Sequence, residues 1–400
     1  ILNKKLDKDR DGASTSETDY QADKDSYSLV YDYNMKDNLK FNLLSSYYNS
    51  VSESSTSTSI TNFDESKIAF KPKLNYEYSK GTLTAGYDYT FNNIVRDTKL
   101  GNGAFYDISK MTNSVFLNNR YDMNKLELIT GYRYEKSDYE MKDQKYGTKT
   151  PSDMDKTSSN SAYSMGLNYL YSDSGKLYGK FESGYTFPDP RQYINLTNGE
   201  GELNNLQDEE FMTYEIGFQD YIINSLVKGA VYYTEKENEI RKEGSSLNAK
   251  FYNIDASKRI GGELSISQNI KKLELSESIA YIDAKVTEGT YEGKRIPYVS
   301  KITSSINATY TFNEKVDLSA NITYRDKYYV DASNLSGLVN DKFVTDIKVN
   351  YSIDSNWKTY AGINNLFNAD YYNTINYSSG AYTYDPASER NYFIGFNYSF

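Results

Sequence analysis

The chain has 400 residues, a formal net charge of −10, and neither cysteine nor histidine. This composition excludes disulfide bonds, cysteine-ligated zinc, thiol nucleophiles and every catalytic triad that uses a histidine base. No run of about 18 apolar residues is present, so helical membrane spans are excluded as well. The chain is acidic and therefore lacks the basic surface that nucleic-acid binding requires. We therefore expect no enzyme activity, no cofactor and no structural metal ion.

Tyrosine is unusually frequent, with 43 residues against 17 phenylalanines and one tryptophan. A polar, charged composition would also suit a disordered chain. The aromatic residues, however, recur at every second position over long stretches, which is the spacing along one face of a β-strand. The pattern favours an all-β structure over disorder.

Seventeen segments alternate between apolar and polar side chains with this period. One clear stripe consists of Leu83, Ala85, Tyr87, Tyr89 and Phe91, with polar residues between them. In chain order the predicted strands are 23-33, 37-51, 66-79, 82-95, 110-122, 125-138, 160-172, 176-187, 211-222, 226-240, 251-269, 273-285, 301-312, 316-330, 342-353, 357-365 and 391-400.

The connections between these strands have two very different lengths, and the two kinds alternate strictly. The short turns are rich in Asn, Asp, Gly and Ser, as hairpin turns are. The long connections cover 52-65, 96-109, 139-159, 188-210, 241-250, 286-300, 331-341 and 366-390. Outer-membrane barrels have tight periplasmic turns and long extracellular loops, whereas a soluble sandwich has no reason to separate loop lengths by end.

The last ten residues form a strand that ends on an aromatic residue, Phe400. Such a strand is typical of the closing strand of an outer-membrane barrel, with its apolar face toward lipid. The alternative is a half-buried strand in a soluble sandwich. Two positions fit the barrel poorly: Pro72 lies inside a predicted strand, and Glu277 takes the apolar parity of its strand. Taken together, the pattern predicts a transmembrane antiparallel β-barrel.

The strand count is odd, although single-chain bacterial barrels close with even numbers. We therefore expect strands to be missing from the front of the chain. If the terminal strand ends in the periplasm, residues 1-22 belong to an extracellular loop and residues 23-400 to the barrel domain.

Several motifs resemble those of TonB-dependent outer-membrane receptors. The segment from Gly362 to Asn368, followed by Tyr371 and Tyr372, resembles the N-L-F-[ND]-x-x-Y signature of that family's last loop. Four further segments match less closely. Segment 185-190 lacks the arginine and alanine of the family's motif, and segment 201-209 lacks both of its prolines. Segments 214-218 and 260-264 match the family's Y-E-x-G and G-x-E patterns.

The resemblance implies a barrel of 22 strands with a plugged lumen, of which about 17 are present here. The family's N-terminal plug, with the segment that engages TonB, has no counterpart in this sequence. The implied partners are a TonB-type energising protein acting through that plug, a small-molecule metal chelate, and lipid of the cell outer membrane. The implied function is import of an iron chelate such as a ferric siderophore. Haem, cobalamin or another metal complex, or a passive porin or adhesin barrel, remain the alternatives.

Ligand capture would use the long loops and the upper inner wall. Arginine together with tyrosine suits anionic aromatic chelates, through charge-assisted hydrogen bonds and cation–π contacts. Since the overall charge would repel an anionic ligand, a local basic patch is required. For each position, the alternative is that the arginine is simply exposed to solvent and binds no ligand. The candidate ligand-binding residues are Arg96, Arg133, Tyr185, Arg191, Tyr193, Arg241, Arg325, Tyr328 and Tyr329.

Three further features have open interpretations. Glu215 and Glu263 occupy the family's glutamate positions, where they would contact the plug or remain solvated. Haem is disfavoured because the relevant loop has no histidine, although tyrosine can also ligate haem iron. The segment 7-12 resembles the start of a calcium loop, but Thr18 stands where the pattern wants Glu, so a solvated acidic loop is expected. We also expect deletion of loop 188-210 to abolish ligand binding while sparing the barrel.

Overall fold

A computed structural model of the protein describes residues 2–3, 19–99, 103–151, 153–244, 248–335, 337–378 and 381–399. The acidic segment 7–12 and the terminal Phe400 lie outside these residues. The described part is almost entirely β-structure, with one 3₁₀ turn at Pro190–Tyr193. No helix among the described residues is long and apolar enough to cross a bilayer.

The described residues form seventeen long strands, which confirms the predicted number. In chain order they are β1 (Asp19–Lys36), β2 (Leu39–Ser55), β3 (Ile60–Tyr78), β4 (Gly81–Thr98), β5 (Ala104–Met123), β6 (Leu126–Tyr146), β7 (Met154–Leu170), β8 (Lys176–Thr186), β9 (Glu209–Ile222), β10 (Ser225–Glu243), β11 (Lys250–Ile270), β12 (Leu273–Glu288), β13 (Ile302–Asn313), β14 (Val316–Arg325), β15 (Lys342–Ser352), β16 (Trp357–Asn364) and β17 (Asn391–Tyr398). Seven short strands are Leu2–Asn3, Ile194–Thr197, Glu200–Leu203, Tyr328–Tyr329, Leu338–Val339, Tyr372–Ser378 and Ala381–Pro386.

The chain divides into two compact units. Unit 1 comprises residues 1–165, 182–211 and 238–253, and unit 2 comprises 166–181, 212–237 and 254–400. Within unit 1, strands β1 to β6 pair in sequence order, each antiparallel to the next. Within unit 2, strands β11 to β17 do the same. Neighbours in sequence are thus neighbours in the sheet, as tight hairpin turns require.

Several strands are longer than predicted, and the loops between them are correspondingly shorter. Strand β1 begins at Asp19 rather than at residue 23, so residues 19–22 are strand. The loop predicted at 52-65 is reduced to 56–59, because β2 and β3 pair as far as Ser55 opposite Ile60. Each added pair satisfies backbone donors and acceptors. A ladder that is polar on both faces lacks the alternation from which the strand ends were predicted.

The two faces of the sheet differ as the alternation predicts. In unit 1, one face carries cross-strand pairs such as Phe70 with Tyr89 and Tyr87 with Val115. These side chains are exposed or half-buried; Val115 keeps half of its surface exposed. We call this the apolar face, and the opposite one, which carries most of the charged residues and receives the folded loops, the polar face.

Both positions that fitted poorly keep their strand placement. Pro72 lies in β3 opposite Leu43. On its other side the ladder with β4 has a gap beside Pro72, between the Phe70–Tyr89 and Lys73–Gly86 pairs, as expected for a residue without an N–H. Glu277 lies on the apolar face.

Candidate functional site

Loop 187–208 folds onto the polar face of unit 1. The loop begins with the 3₁₀ turn, where the Asp189 carboxylate accepts from the Arg191 N–H (3.0 Å) and the Gln192 side chain accepts from the Asp189 N–H (2.7 Å). A two-stranded hairpin follows, with positive φ at Asn198 (52°) and Gly199 (80°). An Asn-Gly pair with this geometry is the preferred turn of a tight hairpin.

The folded loop supplies the centre of an apolar core. The Tyr193 side chain is completely buried, with its ring edge-on to that of Tyr139 at 5.5 Å. The Tyr139 hydroxyl donates to the carbonyl oxygen of Pro188 (3.1 Å). The buried members of this core are Ile94, Tyr106, Ile108, Tyr139, Met141, Tyr146, Phe187, Tyr193, Ile194 and Leu206. Deletion of the loop would uncover these side chains, so we now expect it to destabilise unit 1 as well as to affect ligand binding.

Two lysines lie against the aromatic rings of this core. The Lys156 ammonium lies 4.6 Å from the centre of the Tyr193 ring, and that of Lys110 lies 5.1 Å from the Tyr139 ring. Asn160 donates to the Asp208 carboxylate at 2.9 Å. Burial raises the pKa of the Asp208 carboxyl and also that of the Tyr193 hydroxyl. The loop is therefore held in place by apolar packing and cation–π contacts.

Three of the predicted arginines form an ion pair with a carboxylate. Arg133 contacts Asp88 (Nη1–Oδ2, 2.8 Å) and Glu135 (Nη2–Oε2, 2.9 Å). Arg191 contacts Asp189, with Nε 3.0 Å from Oδ1. Such pairing reduces the charge that each arginine could offer to a ligand. The third, Arg241, pairs with Glu239.

The remaining predicted residues of unit 1 are Arg96 and Tyr185. Arg96 lies opposite Phe63 and Tyr106 on the polar face. Tyr185 and Arg133 line the same cleft of about 980 Å³. Because its lining includes Asp32, Asp88, Glu135 and Glu182 as well as Lys71 and Lys73, the cleft has no excess of positive charge.

The predicted residues of unit 2 come together in a basic–aromatic cluster. The Arg325 guanidinium lies 4.7 Å from the centre of the Tyr328 ring, and that of Arg295 lies 5.6 Å from Tyr329. Tyr298 packs against Tyr328 with ring centres 6.0 Å apart. The cluster also contains Lys342, whose ammonium lies 4.6 Å from the ring of Tyr371.

Two cations of this cluster face each other directly. Arg325 and Lys342 are register partners on β14 and β15, an arrangement that destabilises a sheet. None of the three cations, Arg295 included, makes an ion pair with a carboxylate within the described part of unit 2. An anion bound between them would relieve the repulsion.

The loop residues of the cluster are held in defined positions. The Asn334 side chain accepts from the Arg295 N–H (2.7 Å) and donates to the Arg295 carbonyl (3.0 Å). Tyr298 has a positive φ of 61°, an uncommon conformation for a bulky residue, and its N–H donates to the Tyr329 carbonyl (2.7 Å). Sequence reasoning missed Arg295, Tyr298, Lys342 and Tyr371. Their position at the ends of long loops beside strand ends was the available signal.

Two of the motifs have structural explanations. In the Tyr214–Phe218 segment, Glu215 accepts a hydrogen bond from the Tyr178 hydroxyl (2.8 Å). The Tyr178 ring covers Gly217, where an added Cβ would come within 2.5 Å of the ring. Gly261 lies in the same way under the ring of Tyr232. These glycines are required for close cross-strand packing.

The Asn-Leu-Phe-Asn segment closes the loop after β16. Asn365 is buried with φ of 53°, and its side chain exchanges two hydrogen bonds with the backbone of Ala369 (2.7 and 2.8 Å). Its own N–H donates to Asp346 (2.8 Å). The Asn368 side chain accepts from the Arg390 N–H (2.8 Å). The motif thus fixes the loop's two ends.

Comparison with known proteins agrees with this architecture. The chain is 22% identical over 249 residues to the catecholate siderophore receptor Fiu of Escherichia coli, which covers 59% of this chain and 32% of that protein. The solved structure of the ferric-catecholate import receptor Fiu from E. coli K12 matches with a TM-score of 0.79 at 15% identity, over 97% of this chain and 65% of that one. The copper transporter OprC matches with a TM-score of 0.79 at 14% identity, over 96% and 67%.

The chain spans about a third of the length of the curated relatives that it matches. The family model for the TonB dependent receptor-like β-barrel covers most of this chain and matches residues 3–366. Together with the seventeen antiparallel strands and the apolar face, this match identifies the fold as that barrel. The chain therefore belongs to the family of TonB dependent receptor-like β-barrels.

Proposed function

We propose that this chain forms the barrel of an outer-membrane transporter that imports an iron chelate, with a TonB-type protein supplying the energy through a plug. Membership of the family and the similarity to a siderophore receptor support the class of protein. The exposed apolar face supports placement in a bilayer, since exposed apolar stripes on alternate residues suit lipid. Transport of this kind needs no catalytic residue, and we propose none.

The observation that carries the choice of ligand is the basic–aromatic cluster of unit 2. Its half-buried cations are faced by tyrosine rings, and Arg325 lies directly opposite Lys342. A chelate with several negative oxygens would accept hydrogen bonds from both cations and stack on the tyrosines. In the described part of the chain, the other arginines proposed for binding are largely neutralised or dispersed, so we propose this cluster as the main ligand contact.

Uptake measurements test the proposal. Cells that lack other iron receptors would express the full-length protein, and uptake of radiolabelled ferric chelates would be measured under iron limitation with and without TonB. We expect uptake of an anionic aromatic chelate that requires TonB. The double variant Arg325→Gln, Lys342→Gln should reduce uptake about tenfold or more, since hydrogen bonds to charged groups contribute ~1.5–3 kcal/mol.

Lys348→Gln is the matched control. Lys348 lies on the same face of β15 and also contacts a tyrosine ring, that of Tyr360 at 4.5 Å, but it is not part of the cluster. Uptake that persists without TonB would show a passive pore instead. Uptake of a copper complex or haem, and of no iron chelate, would replace the proposed substrate.

A further inference from the structure

The connection between β16 and β17 contains a two-stranded hairpin, in which Tyr372–Ser378 pairs with Ala381–Pro386. Within this hairpin the rings of Tyr372 and Tyr384 lie with their centres 4.8 Å apart and their planes tilted by 43°. Among the residues that the structure describes, no other two tyrosine rings lie closer together. The hairpin therefore holds two phenol rings in direct contact.

This tyrosine pair is also accessible from water. Tyr384 keeps 53% of its surface exposed, and Tyr372 is half-buried. The next closest pair, Tyr132 with Tyr163 at 5.2 Å, lies on the apolar face that a bilayer would cover. The pair that follows, at the centre of the core beneath loop 187–208, is buried. The hairpin pair thus combines close approach with access to dissolved reagents.

Hydrogen peroxide can join two phenols that lie in this arrangement. The chain has no cysteine, a side chain that peroxide oxidises readily. Each phenol loses one electron and one proton and becomes a tyrosyl radical. The two radicals couple through ring carbons beside the hydroxyl-bearing carbons, and the hydrogens displaced from those carbons return to the two oxygens. Peroxide accepts the two electrons and two protons and is reduced to two water molecules.

The hairpin is attached to the basic–aromatic cluster at two points. Ile375 is buried in a small core with Tyr328, and Tyr372 packs against the same core. Tyr371, which directly precedes the hairpin, has its ring 4.6 Å from the ammonium of Lys342. A ligand that binds Lys342 must share or displace this ring. Any bond that fixes the hairpin therefore also affects access to the cluster.

We propose that Tyr372 and Tyr384 form a site of oxidative modification, at which hydrogen peroxide, activated by iron or by a haem peroxidase, crosslinks them as dityrosine. The new bond joins the two strands of the hairpin and fixes it beside the cluster. Chelate uptake then falls when peroxide is abundant, a condition under which imported iron would generate damaging radicals. This effect on uptake depends on the transport function proposed above, whereas the crosslink itself does not.

Peptide mass spectrometry of the purified full-length protein, treated with hydrogen peroxide and a haem peroxidase, tests the crosslink. The substitution Ser379→Lys gives trypsin a site between the two tyrosines, so the crosslink appears as two joined tryptic peptides that have lost two hydrogens. We expect this product in the Ser379→Lys protein and its loss when Tyr372→Phe or Tyr384→Phe is added. Tyr47→Phe, whose ring lies 6.5 Å from that of Tyr27, is the matched control and should not change the yield.

Hydrogen exchange provides a second readout of the same bond. The Ala387 N–H donates to the Tyr371 carbonyl oxygen at the base of the hairpin (3.0 Å). After treatment this amide should exchange about tenfold or more slowly, because a crosslink restricts the opened segment. The Tyr384→Phe protein should show no such change.

Absence of the joined peptides from the treated protein, or their persistence in either phenylalanine variant, overturns the assigned site. Chelate uptake by cells that express the wild type or Tyr384→Phe, before and after the same treatment, tests the consequence. We expect treatment to cause a loss of uptake in the wild type and none in the variant. Equal uptake after treatment, with the crosslink present, overturns the regulatory role. A wild type that takes up no chelate before treatment indicates failure of the transport proposal instead, and the peptide result still decides the crosslink.

Discussion

The hydroxyl of Tyr139 donates a hydrogen bond to the carbonyl oxygen of Pro188 at 3.1 Å. The two residues are 49 positions apart, and both are buried. This bond joins strand β6 to the start of loop 187–208, so the loop is part of the polar-face core rather than a free appendage. The loop therefore completes the core on the polar face of unit 1.

Tyr139→Phe should loosen this loop without affecting the strands. The change leaves the buried Pro188 carbonyl without its partner, which costs about 1 kcal/mol. We expect hydrogen exchange of the Asn204 amide, which donates to the Tyr193 carbonyl at 2.8 Å, to become about fivefold faster through local opening. Tyr27→Phe, at an exposed ring, is the control. Equal exchange in both variants would show that the bond does not hold the loop.

Lys342→Glu should separate ligand binding from stability. Glutamate opposite Arg325 would replace a like-charge pair by an opposite-charge pair, which contributes about 0.2–1 kcal/mol to a sheet. We expect the thermal midpoint to stay constant or rise while chelate affinity falls by about tenfold or more. Lys348→Glu, opposite Ser319, should leave affinity unchanged. Reduced stability together with retained affinity would contradict the assigned role of the cluster.

Asn365→Ala should open the loop that follows β16. The substitution removes both side-chain hydrogen bonds to Ala369 and places alanine at a φ of 53°. Together these changes should cost roughly 2–4 kcal/mol locally. Limited proteolysis should cut between residues 365 and 390 in this variant. Asn364→Ala, which removes a bond to Asn391 on the exposed ladder, should resist cleavage like the wild type.

Ile306→Arg should block assembly into the membrane, and Ile347→Arg should do the same. Ile306 lies on the apolar face opposite Ile322, and a cation near the bilayer midplane costs about 2–4 kcal/mol. Asn307→Arg places the same charge one residue away, on the polar face, and should assemble. The measurements are heat-modifiable migration and surface display. Because Glu277 lies opposite Ile306 and could pair with the new arginine, the decisive variant is Ile347→Arg, whose neighbours are Ala320 and Ile363; its normal assembly would show that this face does not contact lipid.

The positions of the predicted site residues show which features of the site could be predicted from the sequence and which could not. Residue type and parity placed Arg325 and Arg133 on the polar face near strand ends. Both lie on that face, but only Arg325 ends its strand, whereas Arg133 lies well inside the longer strand β6. Parity could not reveal that Asp88, 45 residues away in sequence, pairs with Arg133, nor that Lys342 would lie opposite Arg325. A charged residue's availability depends on its neighbours across the sheet, and those follow from register.

The core beneath loop 187–208 could likewise be predicted only in part from the sequence. Its length and turn residues were visible in the sequence, but burial of Tyr193 required apolar partners on the polar face. Ile94 and Ile108 supply them. Ile94 takes the polar parity of its predicted strand, and Ile108 falls in the predicted connection 96-109. A period-two pattern describes one strand at a time, so it does not indicate where a loop will later cover a face.

Local sequence pattern was enough to predict the number of long strands, the order of the hairpins and the faces of the strands. These are local properties, because successive side chains of a strand point to opposite sides and tight turns pair neighbouring strands. How far the strands extend, where the loops pack, and which cations lack a carboxylate among the described residues became clear from the three-dimensional structure. Those properties depend on contacts between residues distant in sequence, which form only once the strands are in register.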